Sequence, residues 1–305
     1  MISIHSNRFA TLLLFAITGG PAVLVAAPQK TFPTPEAAVQ ALIAAVKSNS
    51  TEEMASILGD DMKDQFRTGD ASLSDLDRAL FLQSAESVAK LESDGSPDKL
   101  TLYVGEQAWP FPAPLVKEGT VWRFDGKEGK QEILDRRIGR NEMHAVETCL
   151  GYVEAQLDYI REDHHGDGVL QFAQRLVSSA GKQDGLYWDS GGEGPASPLG
   201  PAFVRTSAGT SSSQPGIRHH GYHFRILTAQ GSNAPGGARN YLIDGRLLGG
   251  FGLVAWPTEY GVTGIQTYIA NQSGIVYEKD LGEQTATAVT AIQSFDPDAT
   301  WKKMR

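Results

Sequence analysis

Residues 141–160, NEMHAVETCLGYVEAQLDYI, decide how the larger half of this chain reads. Met143, Val146, Leu150, Val153, Leu157 and Ile160 recur at alternating spacings of three and four, the period of an amphipathic helix with one apolar stripe. Such a stripe needs a partner surface. A sheet written downstream supplies it, at residues 222–227 (YHFRIL), 248–256, 265–270 and 275–277. Asp244-Gly245, set between Leu242-Ile243 and Leu247-Leu248, predicts a hairpin, because a type I′ turn takes positive φ at both central residues. Residues 271–274 read as another turn. Between helix and sheet, residues 206–216 are rich in Ser and Gly and poor in apolar side chains, which predicts a mobile surface loop.

Upstream of that helix a second pattern appears. Residues 34–59 carry two short apolar stripes, Val39, Leu42, Ile43 and Val46 and then Met54, Ile57 and Leu58, with Gly59 as a C-terminal cap. A longer helix is expected after an N-cap at Ser72, with Leu73, Leu76, Leu80 and Val88 inward and Asp75, Asp77 and Arg78 outward. From Lys99 the period changes to two, through Leu100, Leu102 and Val104 and then residues 121–124 (VWRF). Residues 109–114 (WPFPAP) are expected at an edge or in a rigid connector, since three prolines remove ladder donors. Arg136, Arg137 and Arg140 read as the basic end of a helix, paired with Glu132, Asp135 and Glu142. The class that follows is α+β in two modules, residues 28–140 and 141–305.

The first 27 residues read as a signal peptide. Arg8 gives the positive flank, residues 9–17 an apolar core, and residues 23–27 small side chains for cleavage near Ala26 or Ala27. Gly19, Gly20 and Pro21 interrupt the apolar run well short of the roughly 20 residues that cross a bilayer. No later segment is long and apolar enough to span, so a periplasmic or secreted, soluble mature chain is expected. The formal charge is −9, and it becomes −10 when Arg8 leaves with the signal, which argues against nucleic-acid and anionic-membrane partners. Cys149 is the only cysteine, so no intrachain disulfide forms, and its place in the helix predicts a small buried thiol.

Several further segments form a dense series: Gly139-Arg140-Asn141-Glu142, Asp167-Gly168 with Gln171-Phe172-Ala173, residues 182–188 (KQDGLYW), residues 197–201 (SPLGP), residues 221–227 (GYHFRIL), Pro235-Gly236-Gly237, and Gly250-Phe251 through Trp256-Pro257. This series resembles the bacterial exported family called domain of unknown function 2950, over nearly the whole mature chain. The resemblance implies an exported bacterial protein and brings no catalytic residues to carry over. More loosely, the C-terminal helix and sheet are similar to the globular heads of pilin-like proteins, although Arg136, Arg137, Arg140 and Glu142 stand where pilins have an apolar stem. The N-terminal module is similar in element order to the nuclear-transport-factor-2-like fold. Neither likeness implies a function.

Residues 163–168 (DHHGDG) resemble the start of a Ca²⁺ loop, with Asp163, His165 and Asp167 at alternate positions; the other reading is a helix-ending turn. His at position three and Gln174 at position twelve depart from the calcium pattern. A zinc set drawn from His164, His165, His219, His220 and His223 is weakened by spacing, since in an extended strand His219 and His223 stand about 13 Å apart. No serine elbow, zincin helix, phosphate loop or dinucleotide fingerprint is present. Trp109, Phe111, Tyr187 and Trp188 are the aromatics expected to form a recognition surface, with core packing as the other reading. The functional expectation is a non-catalytic binding or structural protein of the envelope, with an envelope protein or a small molecule as partner. The alternative is a hydrolase-type enzyme with an acid/base pair in a cleft between the modules.

Overall fold

The computed structural model describes residues 28–66, 75–93, 95–190, 195–200 and 217–304. The expected signal peptide, the expected cap at Ser72 with Leu73, and the expected loop at residues 206–216 lie outside the described residues. The chain divides into two compact units, Met1–Lys127 and Glu128–Arg305. Both combine helices with antiparallel sheet, so the class is α+β.

In the first unit, α1 (Pro35–Lys47) starts where the Thr34 hydroxyl accepts the Ala37 N–H at 3.2 Å, with Pro35 in the first turn. The Ser50 hydroxyl caps α2 (Thr51–Leu58) in the same way, and Gly59 at φ 93° ends it. After a 3₁₀ turn (Asp60–Phe66) and α3 (Asp75–Ser87), a sheet forms in the order β1 (Ala89–Ser93), β2 (Lys99–Val104), β4 (Leu115–Glu118), β5 (Val121–Phe124), with β3 (Trp109–Pro110) added on β2. Leu102, Val104, Leu115, Trp122 and Phe124 are buried beneath helices that bury Leu42, Ile57 and Leu58. The Gln29 side chain donates to both Ile57 O and Phe124 O, tying α2 to β5.

One expectation fails here. Leu76, Leu80 and Val88 are exposed, whereas Ala85 is buried and the Phe81 ring lies 5.7 Å from Phe111. The helix therefore presents the face about 100° round from the predicted leucine stripe. Phe81, Phe111 and the fully buried Phe124 form a chain of tilted and edge-on rings that outweighs the leucines.

In the second unit, the helix expected from residue 141 is longer. It is α4 (Gly126–Tyr159), 34 residues that include the basic run 136–140. Residues 127–140 have no apolar period, and their helicity comes from strong helix formers and from pairs one turn apart, such as Glu132 with Arg136 at 2.7 Å. Arg136, Arg137 and Arg140 thus lie mid-helix, away from any helix end. The buried face is only partly the predicted one: Val153 is buried and Val146 packs against the core, but the rest of the stripe differs. Ala145, Cys149, Tyr152, Gln156 and Tyr159 are buried, while Met143, Leu150 and Leu157 are 59%, 42% and 46% exposed. The inward residues are small or carry polar tips that find partners. Tyr152 Oη donates to Gly252 O at 3.0 Å, and Tyr159 Oη donates to Gln183 O at 2.9 Å.

Facing α4 is a six-stranded antiparallel sheet. Its order is β15 (Lys302–Lys303), β14 (Val276–Asp280), β13 (Gln266–Asn271), β12 (Gly252–Pro257), β7 (Tyr222–Leu227), β6 (Ile217–His219). Tyr222, Phe224, Leu253, Ala255, Tyr268, Ala270 and Val276 form the α4 side of the core. Leu227, Val254, Trp256 and Ile269 point the other way, onto Val289 and Phe295 of the C-terminal segment, which contains α5 (Thr285–Ala288). β12 is buried along its whole length because both faces are covered. Short pairs β8 (Ala229–Gln230) with β9 (Arg239–Asn240), and β10 (Leu242–Ile243) with β11 (Arg246–Leu247), fill the long β7–β12 connection. Asp244 at φ 51° and Gly245 at φ 77° make the predicted hairpin, and Gly274 N–H closes the turn onto Asn271 O. Among the described residues, no helix is long and apolar enough to cross a membrane.

Candidate binding groove

Residues 175–190 leave regular structure yet are tied together by backbone bonds. Leu186 N–H reaches Arg175 O, Tyr187 N–H reaches Leu176 O, and Ser178 N–H returns to Tyr187 O at 2.8 Å. The chain between them is a tight loop. A Cβ on Gly185 would stand 2.7 Å from Ser178 N, so only glycine fits. The Asp184 carboxylate accepts the Ser179 N–H at 2.6 Å and its hydroxyl at 2.8 Å. Burial alone would raise this carboxyl, but the Ser179 bonds and the Arg175 charge hold it below the usual range.

Beside this loop opens a groove of about 490 Å³, lined by residues 177–183, by Tyr187, Trp188, Asp189 and Ser190, and by Pro195. Trp188 packs its indole into the core and donates Nε1–H to Pro195 O at 3.1 Å, while Tyr187 is half-buried. Behind Trp188, the His164 ring tilts against the indole at 5.5 Å and stacks on Tyr159 at 4.0 Å. Burial first, and then the Asp184 charge, push the Tyr159 hydroxyl up to about 12, so it remains a donor to Gln183 O. The groove is thus lined by two aromatic residues, Tyr187 and the largely buried Trp188, together with serine, lysine and amide groups.

A family model described as "Protein of unknown function (DUF2950)" matches residues 29–304. The chain belongs to that family. No curated protein and no solved structure matches it.

In this DUF2950 chain, several segments of the family-like series have structural work. The Asn141 side-chain amide donates to Thr263 O at 2.9 Å, and Glu142 Oε1 accepts the N–H groups of both Ile265 and Gln266. Gly221 has Asn141 Nδ2 at 2.7 Å from where a Cβ would sit, and Gly264 has the Tyr222 hydroxyl at 2.1 Å. These close approaches fix the loop 258–265 to the start of the docked part of α4.

The four expected aromatics separate by unit. Tyr187 and Trp188 share the groove of the second unit. In the first, Trp109 is 60% exposed on edge strand β3, and Phe111 packs between Phe81 and Phe124. Asp163 accepts N–H groups from His165, Gly166 and Gly168 at 2.7–3.0 Å. Those backbone bonds, Gly168 first, hold its carboxyl below the usual range. Asp167 accepts from Arg246 at 2.7 Å, and His165 is exposed. The segment is built as an Asx-type turn ending α4. Among the described residues, no three His, Cys, Asp or Glu side chains are arranged to hold a metal ion.

The histidines fall in three places. His164 lies against Trp188. His219 and His220 form a hairpin tip, and His223 is buried on the opposite sheet face, stacked on Trp256 at 5.2 Å. His219 and His223 were expected on one face of an extended strand, but the turn at His220-Gly221 intervenes and pairs His219 with Tyr222 and Arg218 with His223. Sequence reasoning missed His144, which stacks on His220 at 4.4 Å across 76 residues of chain. Nothing in the spacing marks that contact.

Proposed function

We propose that this protein is exported to the bacterial envelope, periplasmic or secreted, and acts by binding a small polar molecule in the Tyr187–Trp188 groove. The observation that carries the reading is the groove itself, whose lining sets Tyr187 and Trp188 beside side chains that can donate and accept hydrogen bonds, the combination common in recognition sites. The nearby carboxylate, Asp184, is committed to Ser179 and serves the loop rather than an acid/base reaction. Export is supported by Arg8, the apolar run 9–17 and the small residues 23–27. A ligand-observed NMR screen of neutral sugars, amino acids and short peptides against residues 28–305 tests the site. Binding that Tyr187→Ala weakens at least about tenfold, with the melting curve unchanged, supports the groove. Ligands bound equally by wild type and variant overturn it.

A further inference from the structure

At the tip of the β6–β7 hairpin, His220 (φ 44°) and Gly221 (φ 76°) form the turn that brings the hairpin against α4. The His220 ring stacks on His144 of that helix, 4.4 Å between centroids and 25° between planes, and His219 meets His220 edge-on at 4.3 Å. Glu147, one turn beyond His144, places its carboxylate 3.3 Å from His144 Nδ1. Three imidazoles from two elements therefore gather around one contact, in a ring-on-ring arrangement that does not converge their nitrogens on an ion.

We infer that the His144–His220 stack is an acid-sensitive latch that holds the hairpin tip on α4 when both rings are neutral and releases it when they are charged. Two neutral imidazoles stack favourably, whereas two imidazolium rings at this separation repel. The β6–β7 and β7–β12 ladders and the Thr258 N–H to Gly221 O bond at 2.9 Å hold the strands in place, so release of the latch is confined to the tip, where His220 meets α4 through its ring. Among the described residues, α4 places Glu147 beside the stack and carries the exposed Arg140 one turn before His144, the hairpin contributes His219, and the neighbouring loop carries the exposed Glu259. Burial first, and then the His144 charge, lower the His220 pKa from 6.5, with Glu147 opposing. Charging is thus disfavoured in the folded form, so the latch is complete above the ordinary histidine range and weakens as pH falls through it.

Amide exchange of residues 217–224, corrected for intrinsic rates, tests this between pH 7.5 and 5.5. Wild type should lose about tenfold of its protection at the hairpin tip. His220→Asn keeps the left-handed turn conformation, which Asn adopts readily, and should abolish the pH dependence. His144→Gln leaves the turn untouched and should raise the His220 titration seen by NMR, without restoring it fully because burial persists. Equal pH dependence in wild type and His220→Asn, or a His220 titration unmoved by His144→Gln, overturns the inference.

Discussion

Gln156 forms both backbone hydrogen bonds of Ala173 with one side chain: its Nε2–H reaches Ala173 O at 2.8 Å, and its Oε1 accepts Ala173 N–H at 2.8 Å. A helix residue thereby takes the place of a neighbouring strand and anchors the start of the irregular segment that leads to the groove. Gln156 is fully buried and also donates to Tyr152 Oη. Replacing it by Leu keeps the approximate volume but leaves the Ala173 N–H and C=O buried without partners. We expect a loss of about 2–4 kcal/mol in urea unfolding. An effect under about 0.5 kcal/mol shows that water replaces the side chain.

Gly126 makes a second test of close packing. A Cβ there would stand 2.1 Å from Leu58 O, a backbone atom that cannot rotate away. Gly126→Ala gains helix propensity at the start of α4 and still should destabilise by about 1–3 kcal/mol, because the end of α2 must shift. A variant as stable as wild type, measured by thermal melting, rejects the close approach.

The misreadings around α4 share a physical cause. β7, β12, β13 and β14 and the Asp244-Gly245 turn were legible because short runs of β-branched and aromatic residues and positive φ are local properties. The length of α4 was not, because residues 127–140 are held by propensity and ion pairs that leave no apolar period. Its docking face was read correctly at Val146 and Val153 and missed elsewhere, because Met143, Leu150 and Leu157 outweigh Tyr152, Gln156 and Tyr159 in hydrophobicity, whereas burial depended on polar tips finding Gly252, Ala173 and Gln183. At the groove, Tyr187 and Trp188 could be named as aromatics. The Ser179–Asp184 clasp and the His164 stack behind them arise from contacts that spacing does not encode.

Cys149 offers a readout of the core beneath α4. It is fully buried, and burial pushes its thiol up to about 12. Because the thiolate is the reactive form, the folded protein should resist a thiol reagent such as DTNB at pH 8 and react with one equivalent in denaturant. Rapid labelling without denaturant means that this part of the core opens readily.

His223 should contribute to the acid sensitivity of the second unit. It is 5% exposed, its Nδ1 has no hydrogen-bond partner, and its ring stacks on Trp256. Burial, and then the Arg218 charge, hold its pKa down to about 4 against 6.5 in an unfolded chain. The unfolded state therefore binds a proton that the folded state refuses. Stability from this residue is complete above pH 6.5 and falls as pH drops from there towards 4. The loss should be about 2–3 kcal/mol by pH 4, allowing for partial relaxation. His223→Phe keeps an aromatic ring on Trp256 and removes the titration, so its stability between pH 6.5 and 4 should fall less steeply than that of wild type. This slope is global and is read by urea midpoints, which separates it from the local exchange at the hairpin tip. Parallel pH profiles for wild type and His223→Phe mean that other groups carry the acid sensitivity.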